Sequence, residues 1–194
     1  NLLSNLITGD VPDVAVRSKG RTTTIDDIRI VAELGNIDGE GGILGQAGPT
    51  SVRTASSLPA TAEMTFDIAD VVGMGNETFA DVVLHEMAHS LGVGSIWSRL
   101  GLVTNGLFTG ENAVDEYHEM GGTLAGIPVE QDGGAGTAGS HWDEEIFGNE
   151  LMTGYINDGE NYFTEMSAAS FGDLGYAITT ELAAVTEPGY TFLA

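Results

Sequence analysis

The sequence predicts an α+β protein on two observations. β-branched and alternating segments gather in the first 67 of its 194 residues, and segments of helical spacing follow them. Residues 22 to 34, Thr-Thr-Thr-Ile-Asp-Asp-Ile-Arg-Ile-Val-Ala-Glu-Leu, read as one strand. Glycine-bounded Ile43-Leu44-Gly45-Gln46 and alternating Ala62-Glu63-Met64-Thr65-Phe66-Asp67 add two short strands, separated by a loop rich in Pro and Ser. The first half is therefore a small twisted sheet.

Thr78 followed three residues later by Asp81 has the form of a capping box, and Phe79, Val82, Val83 and Met87 recur beyond it at helical spacing. Gly92 or Gly94 should end that helix, since glycine accepts the left-handed conformation that stops one. Further helices are expected over Ala113 to Met120 and Thr164 to Leu174. Residues 132 to 140, with four glycines in nine positions, are too glycine-rich for regular structure and read as a loop leading into His141.

Composition narrows the function. With 29 acidic against 6 basic residues the net charge is -23, which repels nucleic acids and anionic membrane surfaces. That acidity suits a solvated surface first, and calcium as a second reading. Mean hydropathy is +0.05, and no run approaches the roughly 18 apolar residues of a membrane helix. Cysteine is absent, so neither disulfides nor thiol catalysis enter. The chain starts at Asn1 without a basic and apolar leader, from which we expect any signal peptide to have been removed or to lie outside this sequence.

The chemistry centres on His85-Glu86-Met87-Ala88-His89 with Gly92 three residues beyond. Helical residues four apart share a face, so His85 and His89 can converge on one ion while Glu86 stands beside them. Zinc in catalytic sites takes three protein ligands and keeps a fourth position for water, whose pKa it lowers to about 7. Glu86 is then placed to take the proton from that water and return it to the leaving amine. This predicts a zinc-dependent peptidase. Two of the four histidines fall in this motif, within a capped, periodic helix, which makes a chance match a poor explanation.

The metzincin pattern would continue to a third histidine at position 95, where this sequence has Ser95. His118 and His141 remain. His118, between Tyr117 and Glu119, reads as a surface helix histidine, and His141 is the better third ligand.

The chain resembles the leishmanolysin-like metallopeptidases, most closely their bacterial members, in which a large insertion separates the helix glycine from the third histidine. The resemblance lies in His85 through Gly92, His141-Trp142, Glu150-Leu151-Met152, Ala168 to Tyr176, and the stretch Gly42 to Pro49. It implies a metzincin-type zincin fold in a single catalytic domain over residues 1 to 194. An upper lobe of about 1 to 94 would carry the sheet and active-site helix, and a lower lobe of about 95 to 194 the Met-turn and C-terminal helix. It implies Met152 as the Met-turn residue, protein or peptide substrates, and action outside the cell or at its surface. A strand and long helix normally precede residues like Asn5 to Asp10 in that family, so the chain reads as N-terminally incomplete.

Four further readings follow. Tyr155 lies where some metzincins place an oxyanion-stabilising tyrosine, against a plain reading as a packed ring. The strand around Gly42 to Ala47 could pair with an extended substrate. Asn36-Ile37-Asp38-Gly39-Glu40-Gly41 imitates the opening of a calcium loop but carries Ala47 where that loop requires Glu, so a turn is expected. Residues 157 to 161 are turn chemistry as well.

Two other functions compete: a peptidase whose third ligand is Glu111, Glu116 or Glu119, and a catalytically silent zinc-bearing binding module.

Overall fold

The computed structural model describes residues 2 to 186. The chain divides into two compact units, one running Asp10–Ser95 and the other made of the described residues before Asp10 and after Ser95. Helices and small sheets mix in each, an α+β architecture.

In the Asp10–Ser95 unit, β1 (Val14–Ser18) and β2 (Arg21–Ile25) form a hairpin. Lys19 and Gly20 turn it, both at positive φ, the conformation that a two-residue hairpin loop demands. β3 (Arg29–Gly35), β4 (Gly45–Val52) and β5 (Pro59–Asp67) form a second sheet in the order β3-β5-β4. β5 is parallel to β3 and antiparallel to β4. As the central strand it is buried nearly throughout, whereas β4 lies at an edge.

The single strand expected over residues 22 to 34 is two strands. Between them the carbonyls of Asp26 and Asp27 turn toward the guanidinium of Arg53, which also donates to the carbonyls of Pro12 and Pro59. This buried cation holds four main-chain oxygens where a ladder would otherwise continue. β1 carried no sequence expectation, and β4 begins at Gly45 rather than Ile43 and runs on through Pro49, where the register shifts.

α2 (Ile68–Gly73) follows β5 directly, capped by Asp67, and α3 (Asn76–Leu91) follows α2. Thr78 lies inside α3 rather than capping it: the N-cap is Gly75, and no side chain caps that end. The expected C-terminus is correct. Gly92 sits at φ 118, donating its N–H to the last-turn carbonyls. Phe79 meets Phe66 edge-on at 5.4 Å between centroids, which packs α3 against β5.

The second unit holds α1 (Leu2–Leu6), α4 (Trp97–Leu100), β6 (Val103–Thr104), β7 (Leu107–Phe108), α5 (Glu111–Glu119), β8 (Ile127–Pro128), α6 (Glu144–Phe147), α7 (Glu165–Leu174) and the 3-10 turn Leu182–Ala184. α5 and α7 lie within two residues of the expected helices, and Thr164 caps α7 through its hydroxyl. Asp173 on α7 accepts the amides of Asn112 and Ala113 at the start of α5, satisfying donors that a helix N-terminus leaves open. The core is aromatic: Trp97, Phe108, Trp142 and Phe147 are fully buried, with the Trp97 and Trp142 rings 4.5 Å apart.

Candidate active site

α3 brings His85, Glu86 and His89 onto its buried side. The two imidazoles meet edge to face, and their Nε2 atoms stand 2.9 Å apart. The Nδ1 of His89 lies 2.9 Å from the carbonyl of Val93. A carbonyl only accepts, so the proton sits on Nδ1 and Nε2 presents its lone pair toward His85. This is the tautomer a metal-binding histidine needs, fixed by a second hydrogen bond of the ring. Val93 reaches that place because the chain turns sharply at Gly92, and Ser95, at the position the shorter metzincin spacing gives to histidine, donates its hydroxyl to the carbonyl of His89.

Glu86 is 4 % exposed, and its Oε2 is buried without a hydrogen-bond partner among the described residues. Burial pushes its carboxyl up to about 8. A carboxyl poised near neutrality can both take and give a proton. Above it runs the start of β4: a Cβ built on Gly45 would stand 2.7 Å from Glu86 Oε1. From the sequence Gly45 reads as part of a strand that could pair with an extended substrate, not as a neighbour of Glu86. A glycine inside a strand does signal close approach of something to the backbone, and here that is Glu86.

His141 belongs to the other unit, at the end of the glycine-rich loop, and is buried. Its Nδ1 lies 3.0 Å from the carbonyl of Thr137, which again places the proton on Nδ1 and the lone pair on Nε2. Burial pushes the imidazole below its ordinary pKa, favouring the neutral ring that ligates metals. The loop is closed at its base by Glu130. Its carboxylate accepts from Asp132 and Glu144, its N–H donates to the His141 carbonyl, and its carbonyl accepts from Gly139.

Met152 is fully buried, its carbonyl accepting the N–H of Trp142. His118 is exposed on α5, its Nε2 2.8 Å from the carbonyl of Leu124. Glu111, Glu116 and Glu119 also lie on α5; Glu116 is half-buried, and burial and then Glu165 push its carboxyl upward. Tyr155 corrects the packed-ring expectation: its side chain is 55% exposed.

The calcium expectation gains no support at residues 36 to 41. Asp67 accepts the amides of Ile37, Asp38 and Gly39, and Asp38 accepts that of Ile43, so the segment is a turn held by its own carboxylates. Residues 157 to 161 form a turn too, with Asn161 accepting from Asn157 and Asn149 donating to two of its carbonyls.

Comparison with known proteins points to one family. A family model described as Leishmanolysin matches residues 108–186. A leishmanolysin of Leishmania major is 30% identical over 184 residues, covering 87% of this chain and 30% of that protein. A leishmanolysin of Leishmania donovani is 27% identical over 169 residues, with 80% and 28% covered. A leishmanolysin homolog of Crithidia fasciculata is 26% identical over 169 residues, with 80% and 25% covered. The chain thus spans less than a third of the length of these curated relatives. Its mixed helices and small sheets are compatible with the fold of that family.

Proposed function

We propose that this leishmanolysin-like chain is a zinc-dependent endopeptidase in which His85, His89 and His141 hold the metal and Glu86 is the general base and acid. The observation that carries the reading is Glu86: a buried carboxylate oxygen without a partner among the described residues, on the helix where two histidines turn their Nε2 atoms toward each other. Nothing in packing accounts for so costly a group, whereas a reaction that moves a proton does. The donor set fits zinc, for neutral imidazoles held by carbonyls at Nδ1 are its ordinary ligands.

A zinc ion held there would acidify a water and polarise the scissile carbonyl. Glu86 would take the proton of that water, and it would return a proton to the departing amine. Met152 would supply an apolar floor. β4, at the edge of its sheet, would align an extended peptide by main-chain hydrogen bonds, and proteins are accordingly the substrate class. In this reading the two units act as one catalytic domain over residues 1 to 194, working outside the cell or at its surface. The acidic, cysteine-free composition supports that location, and no helix among the described residues is long and apolar enough to cross a membrane.

The deciding experiment is cleavage of casein by the zinc-loaded chain, with and without a chelator, beside Glu86→Gln. Cleavage that the chelator stops, and that the variant lacks while still holding zinc, is expected. A zinc-loaded, folded protein that never cleaves would instead be a silent binding module.

A further inference from the structure

Glu150 is the largest fully buried acidic side chain of its unit, and the proposed reaction does not use it. Among the described residues its carboxylate takes its hydrogen bonds from no cation. It accepts instead from four donors: Oε2 from the N–H of Met152, and Oε1 from the N–H and hydroxyl of Thr164 and the hydroxyl of Ser167. The two hydroxyl protons in this cluster are assigned by their neighbours. The Thr164 hydroxyl oxygen accepts the N–H of Ser167, and the Ser167 oxygen accepts the indole N–H of Trp142, so both hydroxyls turn their protons to Glu150. Only a group with two acceptor oxygens satisfies all four.

The bonds close a ring. From Glu150 they run to Met152, whose carbonyl accepts the N–H of Trp142, and from the Trp142 indole through Ser167 back to Glu150. One step further, Gly154 lies against Thr137: a Cβ on it would stand 2.6 Å from the Thr137 methyl, and the Thr137 carbonyl holds His141 Nδ1. The residue next to His141 is thus tied at both main chain and indole to the segment of Met152, with one carboxylate at the junction. An apolar core could fill this volume without the cost of burying a charge, so the geometry calls for a role that packing alone does not supply.

We propose that Glu150 is a positioning residue that locks the His141–Trp142 segment to Met152 and so sets the orientation of the His141 ring for metal. The proposal rests on the reading of His141 as a zinc ligand. Met152 and Trp142 keep their backbone contact without it, but the ring loses its second tie, and His141 with it the fixed approach that tight ligation needs.

The test uses the whole chain and two probes, zinc affinity by chelator competition and the visible spectrum of the cobalt-substituted protein, in Glu150→Gln, Ser167→Ala and His141→Ala. Glutamine keeps the shape of Glu150 but turns an NH2 toward donors, and Ser167→Ala removes both bonds of the hydroxyl that joins the indole to Glu150 while leaving the carboxylate its donors from Met152 and Thr164. Each should weaken zinc by about tenfold or more and alter the cobalt band, in protein that still melts cooperatively. Should Glu150→Gln fail to fold, Ser167→Ala decides alone. Affinity within twofold of the parent and an unchanged cobalt band in folded Ser167→Ala overturn the proposal. If His141→Ala itself binds zinc like the parent, the ligand reading fails first, a result the other variants cannot imitate.

Discussion

Gly45 and Glu86 are in such close approach that a methyl group on the glycine would stand 2.7 Å from the carboxylate Oε1 and 3.1 Å from its carbon. The backbone of β4 therefore forms the ceiling over the proposed catalytic carboxylate, and only glycine leaves it room. Gly45→Ala must push either the strand or the Glu86 side chain aside. We expect turnover to fall at least about tenfold, part of the 10²- to 10⁴-fold that a positioned acid-base group supplies. Zinc per chain should be unchanged, since neither His85 nor His89 is touched. Initial rates and metal content on the same preparations check this, and an alanine variant as fast as the parent would show that Glu86 tolerates the displacement.

Asp67 joins three pieces of the same unit. It caps α2 through Ala69, and it accepts the amides of Ile37, Asp38 and Gly39 on the approach to β4. Those bonds, the one from Gly39 foremost and then that from Ala69, hold its carboxyl down at about 2. A carboxyl lowered in the folded state contributes stability that is present above its ordinary value of 3.8 and is lost as pH falls through about 2. Asp67→Asn should accordingly melt lower than the parent at pH 7, with the gap closing between pH 4 and pH 2. Amide exchange at residues 37 to 39 should quicken in the variant. A gap that stays constant into acid would mean the carboxylate charge is not what holds this turn.

What could be read in advance follows the range of the interaction. α3, α5 and α7 were legible because apolar spacing and a terminal glycine are local signals, and Gly92 and Gly175 do end their helices in the left-handed conformation. The placement of His85, Glu86 and His89 together on α3 was legible for the same reason, the two histidines standing four residues apart on one helix. The break at Asp26-Asp27 was not, because the cause is Arg53, 26 residues away from Asp27. Nor was Glu150: its partners Thr164 and Ser167 lie 14 and 17 residues on, and an acid beside Leu151-Met152 in sequence looks like any solvated one. Tyr155 misled in the other direction, an aromatic ring left exposed beside a buried turn.

Glu150 also carries a pH signature. Burial pushes its carboxyl up to about 7 from an ordinary 4.5, although Ser167, Met152 and Thr164 pull it back. Below pH 4.5 the proton is held in folded and unfolded chains alike and there is no penalty. Between 4.5 and 7 the unfolded chain releases it while the folded one keeps it, so stability declines with rising pH, and above 7 the cost is complete. At roughly 1.4 kcal/mol for each pH unit between the two values, about 3 kcal/mol is at stake. Urea denaturation of metal-free protein at pH 5, 6 and 7 should show the parent losing ground to Glu150→Gln over this window. Parallel pH profiles would place the folded-state value near the ordinary one.

The two histidines outside the helix motif give an internal contrast. His141 is buried, its proton fixed on Nδ1 by the Thr137 carbonyl, and removing it as the proposed third ligand should cost more than the roughly 10- to 100-fold typical of the groups behind ligands. His118 is exposed in the last turn of α5, where its bond to the Leu124 carbonyl and its place at a helix C-terminus are worth well under about 2 kcal/mol of stability. Zinc titration should therefore separate them: His141→Ala loses affinity by more than about a hundredfold, while His118→Ala stays within about twofold and melts only slightly lower. Equal losses in both would show that the third position is not filled by His141, and a loss in Glu116→Ala instead would move it to α5.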